Sequence, residues 1–308
     1  MDKKADRGFI AAYLKLSGQS LKEKTSTAVE LLKDCTLCPR ECRVDRTKGE
    51  QGFCRTGASP YVSSWNPHFG EEAPLVGTHG SGTIFFTRCN LGCLFCQNWT
   101  ISHGDDGRTI PVEELAGIMI TLQDYGCHNI NFVTPTHQVP MILQSLEIAI
   151  DKGLKIPLVY NCGGYDSVET LKILDGVIDI YMPDFKYADP ETAKKYSYAE
   201  DYPSVAKAAI KEMHRQVGDL VINPEGVAMK GLLVRHLVLP GGLAGTEGIV
   251  QFLAEEISPS TYTNIMAQYY PCYKAQDHPP LDRRITNQEY RRAMDYAKKA
   301  GLRRLDQS

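Results

Sequence analysis

Short apolar runs alternate along most of the chain with longer segments in which apolar residues recur at helical spacing. The first run, Thr83–Thr87, is followed by Pro111–Gly126, which begins with proline, ends with glycine and places its apolar residues on one face. The same alternation continues to the end of the chain. It predicts strands at 83–87, 131–134, 156–160, 177–182, 232–239 and 264–269, and helices at 111–126, 139–152, 167–174, 190–198, 204–217, 246–257 and 287–300.

Six strands that alternate with helices predict right-handed crossovers and a parallel sheet. The predicted fold class is α/β, a partial (β/α)6 TIM-like barrel, because six units are too few for the complete eight-stranded form. We place the barrel at 81–308 and an N-terminal helical and cysteine-rich extension at 1–80. Within the extension, 1–34 has helical spacing, whereas 35–80 is rich in proline and glycine and is predicted to be irregular. Functional residues in such folds lie at the C-terminal ends of the strands.

The composition excludes several classes of protein. The chain has 34 basic and 37 acidic residues, a formal net charge of −3 and no strongly basic segment, which is not the pattern of a nucleic-acid-binding protein. No run approaches the roughly 18 apolar residues that a membrane-spanning helix needs. The start, Met1-Asp2-Lys3-Lys4, lacks the apolar core of a secretory signal. We therefore expect a cytoplasmic protein without nucleic-acid or membrane partners.

Seven of the ten cysteines fall into two tight groups. Because cytoplasmic thiols stay reduced, clustered cysteines are typical of metal ligands. The second group, Cys89-x3-Cys93-x2-Cys96, directly follows the first predicted strand. Three thiolates suit a cubane [4Fe–4S] cluster and leave its fourth iron open for chemistry. The alternative is a zinc site whose fourth ligand is distant in the sequence, Cys127 or His103.

This motif, with Phe95 before its last cysteine, resembles that of the radical S-adenosylmethionine (SAM) superfamily. Within the superfamily, Gly80–Phe86 leading into Cys96-Gln97-Asn98 resembles proteins labelled pyruvate formate-lyase activating enzyme-like. The resemblance implies that the open iron binds the amino and carboxylate groups of SAM. One electron then cleaves the S–C5′ bond, giving methionine and a 5′-deoxyadenosyl radical that abstracts hydrogen. The resemblance also implies a one-electron donor such as flavodoxin or ferredoxin, and makes a glycyl-radical enzyme a candidate partner.

The ends of the later strands supply further candidates. Where the superfamily often has Gly-Gly-Glu after the second strand, this chain has Thr134, Thr136 and His137, so a hydroxyl or backbone contact to the methionyl amine is expected. Asp184 and Lys186 are two residues apart and project to the same side; in glycyl-radical activating enzymes this lysine binds the SAM carboxylate. The alternative for His137 is a structural role, and the alternative for Asp184 and Lys186 is a solvated ion pair. The predicted SAM contacts are Phe95, Thr134, Asn161, Lys186 and His236, and the predicted catalytic residues are His137 and Asp184.

Two of these predictions rest on their neighbours in the sequence. Asn161 precedes a Cys-Gly-Gly turn whose small residues permit close approach of a ligand. His236 precedes a V-x-P-G turn on the strand that contacts the ribose and adenine of SAM in activating enzymes. Upstream of the first strand, one of His68, Glu71 and Glu72 is a further candidate for reaching the site, the alternative being a surface loop.

The N-terminal cysteine group consists of Cys35, Cys38, Cys42 and Cys54, four thiols across twenty residues. Four such ligands suit a closed tetrahedral zinc site or a second iron–sulfur cluster. The alternative is four reduced thiols without a metal. Because the segment is poor in core-forming residues, a metal there would supply folding energy. We expect this group to be structural and independent of the radical site.

Three functions are compatible with these motifs. The first is activation of a glycyl-radical enzyme by hydrogen abstraction, and the second is radical modification of a small molecule or peptide. The third, a non-catalytic iron–sulfur or zinc protein, is disfavoured by the open-site spacing. Against the first stand Gln97, where activases usually have histidine, and segment 35–80, which is not their ferredoxin-like insert. A mouth wide enough for a protein loop would favour the first function, and a capped mouth the second.

Overall fold

The computed structural model describes residues 9–306, so the Met1-Asp2-Lys3-Lys4 segment lies outside the described residues. The strands are β1 (Tyr61–His68), β2 (Ser81–Phe86), β3 (Arg108–Thr109), β4 (Ile130–Val133), β5 (Leu158–Cys162), β6 (Ile180–Pro183), β7 (Val221–Ile222), β8 (Ala228–Leu237), β9 (Tyr262–Met266) and β10 (Arg304–Leu305). The helices are α1 (Gly18–Glu30), α2 (Ala73–Val76), α3 (Trp99–Ser102), α4 (Val112–Asp124), α5 (Val139–Asp151), α6 (Val168–Ile173), α7 (Pro190–Ser197), α8 (Tyr202–Val217), α9 (Thr246–Phe252) and α10 (Asn287–Ala300).

Six strands form the parallel sheet that the sequence predicts: β2, β4, β5, β6, β8 and β9 lie side by side in chain order. Their C-terminal ends meet at one edge, since Phe85 pairs with Val133, Val133 with Asn161, and Asn161 with Met182. The sheet extends from β10 to β3, and these two outer strands do not pair with each other within residues 9–306. The predicted α/β class with a parallel sheet is confirmed, and the open sheet is consistent with a partial barrel.

The prediction that 35–80 is irregular is wrong at Tyr61–His68. This segment, β1, pairs antiparallel with β2, with Trp65 opposite Ile84. Pro67 and the polar residues around it conceal the strand in the sequence. The structure accommodates that proline because β3 pairs only with the first two residues of β1, which leaves the rest of its outer edge free. The sheet that carries the site therefore begins before residue 81.

Helices cover the sheet because each carries an apolar stripe. In α4, for example, Leu115, Met119 and Leu122 are buried. The N-terminal helix α1 packs against α5 and α6. The chain before it is anchored by Asp179, whose carboxylate accepts hydrogen bonds from the backbone amides of Ala12 at 2.8 Å and Leu158 at 2.9 Å. The predicted helical spacing of 1–34 is thus realised mainly by α1, which packs on the layer of helices outside the sheet.

Gly164, in the turn after β5, lets the chain pass close to the end of β6. Its φ is +76°, and an added Cβ would overlap the carbonyl oxygen of Asp184. Gly153 has a similar φ of +93°, but nothing lies within 4 Å of an added Cβ there. Both positions therefore have a positive φ that disfavours a side chain, but only at Gly164 would an added Cβ also overlap a neighbouring atom.

We predict that Gly153→Ala lowers the free energy of unfolding by about 1–2 kcal/mol, the penalty for a side chain in the left-handed region. Gly164→Ala should lower it by about 2–5 kcal/mol, because the overlap with Asp184 adds to that penalty. Urea unfolding of both variants measures the difference. Equal losses would show that β5 and β6 are not closely apposed at this turn.

Candidate active site

The cysteine loop, residues 89–96, begins where β2 ends. Arg88 has a positive φ of +71°, which turns the chain away from the strand, and its side chain lies 2.8 Å from the Asp105 carboxylate. The backbone amide of Leu91 donates to Cys89 Sγ at 3.3 Å, and the hydroxyl of Ser197 donates to Cys93 Sγ at 2.9 Å. Cys96 Sγ lies 3.1 Å from Ser102 Oγ, so contacts of this kind, rather than secondary structure, hold the three thiols in place.

Burial raises the pKa of Cys89 and of Cys96, and the charge of neighbouring thiols raises both further. Buried thiols such as Cys89 and Cys96, which resist ionisation on their own, become thiolates when they bind a metal, because the metal's positive charge replaces the missing solvation. The donor set of Cys89, Cys93 and Cys96 therefore fits an iron–sulfur cluster.

The alternative of a single zinc ion fits less well. A zinc ion holds its thiolates at about 2.3 Å, and hence within roughly 4 Å of one another. A closed zinc site would also need a fourth ligand at the same point. Of the two distant ligands considered for zinc, one binds the backbone of the cysteine loop rather than a thiol, and the other lies far from the loop. His103 Nε2 lies 3.0 Å from the carbonyl oxygen of Cys93, and Cys127 lies beside Gly82 at the start of β2, the opposite end of that strand.

Asp184 and Lys186 follow β6 at the same edge of the sheet. Lys186 Nζ lies 2.6 Å from Asp184 Oδ2, and both side chains are largely buried. They line a cavity of about 210 Å³ together with Cys93, Cys96 and Phe95. Burial alone would raise the pKa of Asp184, but the positive charges of Arg235 and Lys186 outweigh it and hold that pKa below its usual range. The structure thus places a fixed ammonium group beside two of the three thiols.

Arg235 on β8 occupies the centre of this edge. Its Nε lies 2.8 Å from Asp184 Oδ1 and its Nη2 lies 2.7 Å from Asn161 Oδ1. Its Nη1 approaches Glu71 Oε2 at 3.5 Å. Glu71 and Glu72, in the loop after β1, therefore both reach the interior, since Glu72 lies 4.0 Å from the same guanidinium.

Sequence reasoning assigned His236 and missed Arg235. Successive residues of a strand point to opposite faces of the sheet. Arg235 therefore points towards the site, and His236 points towards the surrounding helices. A charged residue within the apolar run 232–239 was the signal that would have indicated a buried partner network.

Comparison with known proteins identifies the family. A model described as the radical SAM superfamily matches residues 83–227. Over 289 residues the chain is 37% identical to uncharacterized protein MJ0674 of Methanocaldococcus jannaschii, covering 91% of this chain and 78% of that protein. Residues 83–227 thus form a radical SAM superfamily domain. Uncharacterized protein MJ0808 of the same organism is 26% identical over 271 residues, covering 80% of this chain and 73% of its own length.

Among solved structures, the chain is similar to the crystal structure of HydG, a maturase of the [FeFe]-hydrogenase, with a TM-score of 0.48 and 12% identity. The similarity covers 94% of this chain and 62% of HydG, so this radical SAM chain spans less than two thirds of that protein. In the described part of the chain, no helix is both long enough and apolar enough to cross a membrane.

The other residues predicted to contact SAM differ in how they lie relative to the cavity beside the thiols. Phe95 is buried and packs edge-on against Tyr187 and Tyr269, forming one wall of the cavity beside the thiols. Asn161 is buried and binds Arg235, so it shapes the site through that residue. Thr134 has a φ of +59°, and its backbone amide donates to the carbonyl oxygen of Asn161 at 2.8 Å.

The two predicted histidines are buried away from this cavity. His236 Nδ1 lies 2.7 Å from the carbonyl oxygen of Phe185 and its Nε2 lies 2.9 Å from Thr246 Oγ1, so both ring nitrogens are engaged within the fold. His137 Nε2 lies 3.0 Å from the carbonyl oxygen of Thr87, and burial lowers the pKa of His137 to about 3. Their contacts support structural roles. The predicted substrate and SAM contacts of these two residues have no support in the geometry.

The N-terminal cysteine group lies outside the residues that match the radical SAM model. Its four thiols line one small cavity, together with Phe53 and His137. Burial and the charges of the other three groups as thiolates together raise the pKa of Cys38 to about 12, as expected for four sulfurs close together. Cys54 also lines a second cavity with Cys89, so the two cysteine groups are neighbours in space.

We predict that the radical SAM site requires Lys186 for cofactor binding. Lys186→Ala should weaken SAM binding by about ten- to a hundredfold, because a charge-assisted contact of roughly 1.5–3 kcal/mol is lost. Lys172→Ala is the matched control, since that lysine is exposed and forms a surface pair with Glu169. Calorimetric titration of the iron-loaded enzyme with SAM measures the effect. Unchanged affinity with unchanged iron content would limit Lys186 to pairing with Asp184.

We also predict that the N-terminal cysteine group holds its own metal. The triple variant Cys89→Ala, Cys93→Ala, Cys96→Ala, purified without oxygen, should retain about one zinc per chain and almost no iron. Metal analysis of the purified protein provides the measurement. If about four irons per chain remained, they would instead identify an auxiliary cluster. The absence of both metals would leave four free thiols.

Proposed function

We propose that this protein is a radical SAM enzyme in which Cys89, Cys93 and Cys96 hold the [4Fe–4S] cluster and Lys186 binds the carboxylate of SAM. The observation that carries the proposal is the shared cavity: Cys93, Cys96 and Lys186 line the same space of about 210 Å³. When bound, the cluster and SAM supply a 5′-deoxyadenosyl radical that abstracts hydrogen from the substrate. A one-electron donor such as flavodoxin or ferredoxin supplies the electron.

The chain's own residues orient SAM and exclude water from the cavity. Asp184 fixes Lys186 through a contact of 2.6 Å and is itself fixed by Arg235 at 2.8 Å, so the ammonium group is held before SAM arrives. Phe95, buried between Tyr187 and Tyr269, closes one side of the cavity with apolar surface. A dry wall of this kind protects a reactive radical from side reactions.

For the substrate we favour a small polar molecule over a protein loop. The cavity beside the thiols adjoins a second one of about 410 Å³, with which it shares Arg235, Met266 and Gln268. The second cavity by itself is of the size that suits a small ligand. Buried charged residues line both cavities, and a glycine-containing loop does not require such charges. Activation of a glycyl-radical enzyme is the second candidate, supported by the D-x-K arrangement of Asp184 and Lys186 at the strand end.

The assignment is tested by Cys93→Ala. This variant should lose about four irons per chain, the change of the cluster spectrum on addition of SAM, and formation of 5′-deoxyadenosine, because one of three cluster ligands is removed. Cys272→Ala, a partly exposed cysteine outside both groups, is the control and should retain all three. Retention of all three by Cys93→Ala would show that the cysteine loop does not hold the cluster.

The substrate class is tested by reducing the enzyme with SAM and deuterated candidates under anaerobic conditions. Deuterium that appears in 5′-deoxyadenosine from a small molecule supports the first candidate. Deuterium transferred from a partner protein labelled at glycine would support glycyl-radical activation instead.

A further inference from the structure

A second cavity adjoins the one that contains the thiols. It has a volume of about 410 Å³ and is lined by Glu71 and Glu72 from the loop after β1, by Asn264 of β9 and by Tyr290 of α10. Arg235 borders both cavities. A molecule in the second cavity would therefore lie next to the space beside Cys93 and Cys96.

The two glutamates are buried and are poorly neutralised. Their side chains are only 8% and 4% exposed. The nearest cation, Arg235, makes its close contacts with Asp184 at 2.8 Å and Asn161 at 2.7 Å, and lies 3.5 Å and 4.0 Å from Glu71 and Glu72. Distances of that length are at or beyond the limit of a hydrogen bond.

Glu72 has an oxygen without a partner. Its Oε1 accepts a hydrogen bond from Asn264 Nδ2 at 3.1 Å, whereas its Oε2 has no hydrogen-bond partner in the described part of the chain. Glu72 as a whole is 6% exposed, so solvent does not compensate. A buried carboxylate oxygen without a partner destabilises a fold unless a ligand or proton satisfies it.

The environment of Glu71 shows the same deficit of positive charge. Burial, the carboxylates of Glu72 and Asp184 and a side-chain hydrogen bond with Glu72 together raise its pKa to about 7, although the positive charge of Arg235 opposes this effect. The phenol of Tyr290 is the other titratable group that lines this cavity. Near neutral pH a proton therefore partly occupies the place of a cation.

We propose that this cavity binds a cationic nitrogen group of the substrate, an ammonium or guanidinium, between Glu71 and Glu72. An anion would be repelled by both carboxylates, and a neutral group would leave Glu72 Oε2 buried without charge compensation. The inference rests on the proposed function only in that the adjoining cavity holds the reacting end of SAM. The substrate is thus a small amine or guanidine compound, anchored by its cation, with its reacting carbon directed past Arg235 towards the thiols.

The probe is n-butylammonium, with n-butanol and butyrate as neutral and anionic matches, titrated into the iron-loaded enzyme in a calorimeter. We expect n-butylammonium to bind at least tenfold more tightly than either match. Glu72→Gln and, separately, Glu71→Gln should each weaken its binding at least tenfold. Glu191→Gln, an exposed glutamate on α7, is the matched control and should have no effect.

Binding should also release a proton. A cation favours the ionised form of Glu71, so binding should release more protons per site at pH 6, below its pKa of about 7, than at pH 8. Titrations in two buffers of different ionisation enthalpy measure this number. Affinity for n-butylammonium should rise from pH 6 to pH 8, and Glu71→Gln should abolish the proton release.

Three outcomes would overturn the inference. Equal binding of n-butanol or butyrate, or no binding of n-butylammonium, would show that the cavity does not select a cation. A loss of SAM affinity in Glu72→Gln as large as that in Lys186→Ala would assign the carboxylates to the ammonium group of SAM itself. None of these readouts requires SAM cleavage, so failure of the radical assignment, measured with Cys93→Ala, is distinguished from failure of this one.

Discussion

The guanidinium of Arg235 lies where the C-terminal ends of β5, β6 and β8 meet the loop after β1. It binds Asn161 and Asp184 closely and Glu71 at longer range, so side chains from separate segments converge on one buried cation. Removing such a cation would leave several buried carboxylates uncompensated, a change that typically costs about 3–5 kcal/mol. The position of Lys186 depends on the same residue, since Asp184 bridges the two.

This network divides the edge of the sheet into two spaces with different electrostatics. On the side of the thiols, Asp184 is balanced by two cations and stays ionised, leaving Lys186 free to receive an anionic group. On the other side, Glu71 and Glu72 exceed the positive charge available to them. A single arginine thus separates a region suited to a carboxylate from one suited to a cation, which orients two different molecules relative to each other.

The two cysteine groups are connected by Arg40, which belongs to the N-terminal segment. Its Nε donates to the carbonyl oxygen of Asn90 at 3.0 Å, its Nη2 donates to the carbonyl oxygen of Ser197 at 3.3 Å, and its guanidinium lies 3.9 Å from the centre of the Phe53 ring. The segment around Cys38 therefore supports the loop that carries Cys89 and Cys93. The prediction that the N-terminal cysteine group is structural and independent concerns the metal that it holds. In space the two cysteine groups are adjacent.

The sequence by itself determined the parallel sheet, the position of the cysteine loop at a strand end and the chemical nature of its ligands, because these depend on local periodicity and on the spacing of residues close in the chain. It did not reveal β1, whose proline is tolerated only because the outer edge of that strand is largely unpaired. It also assigned His236 rather than Arg235 to the site. Adjacent strand residues face opposite ways, and the sequence carries no record of which face lies inward. Only the tertiary structure decided that, by placing His236 against Phe185 and Thr246 and Arg235 among buried carboxylates.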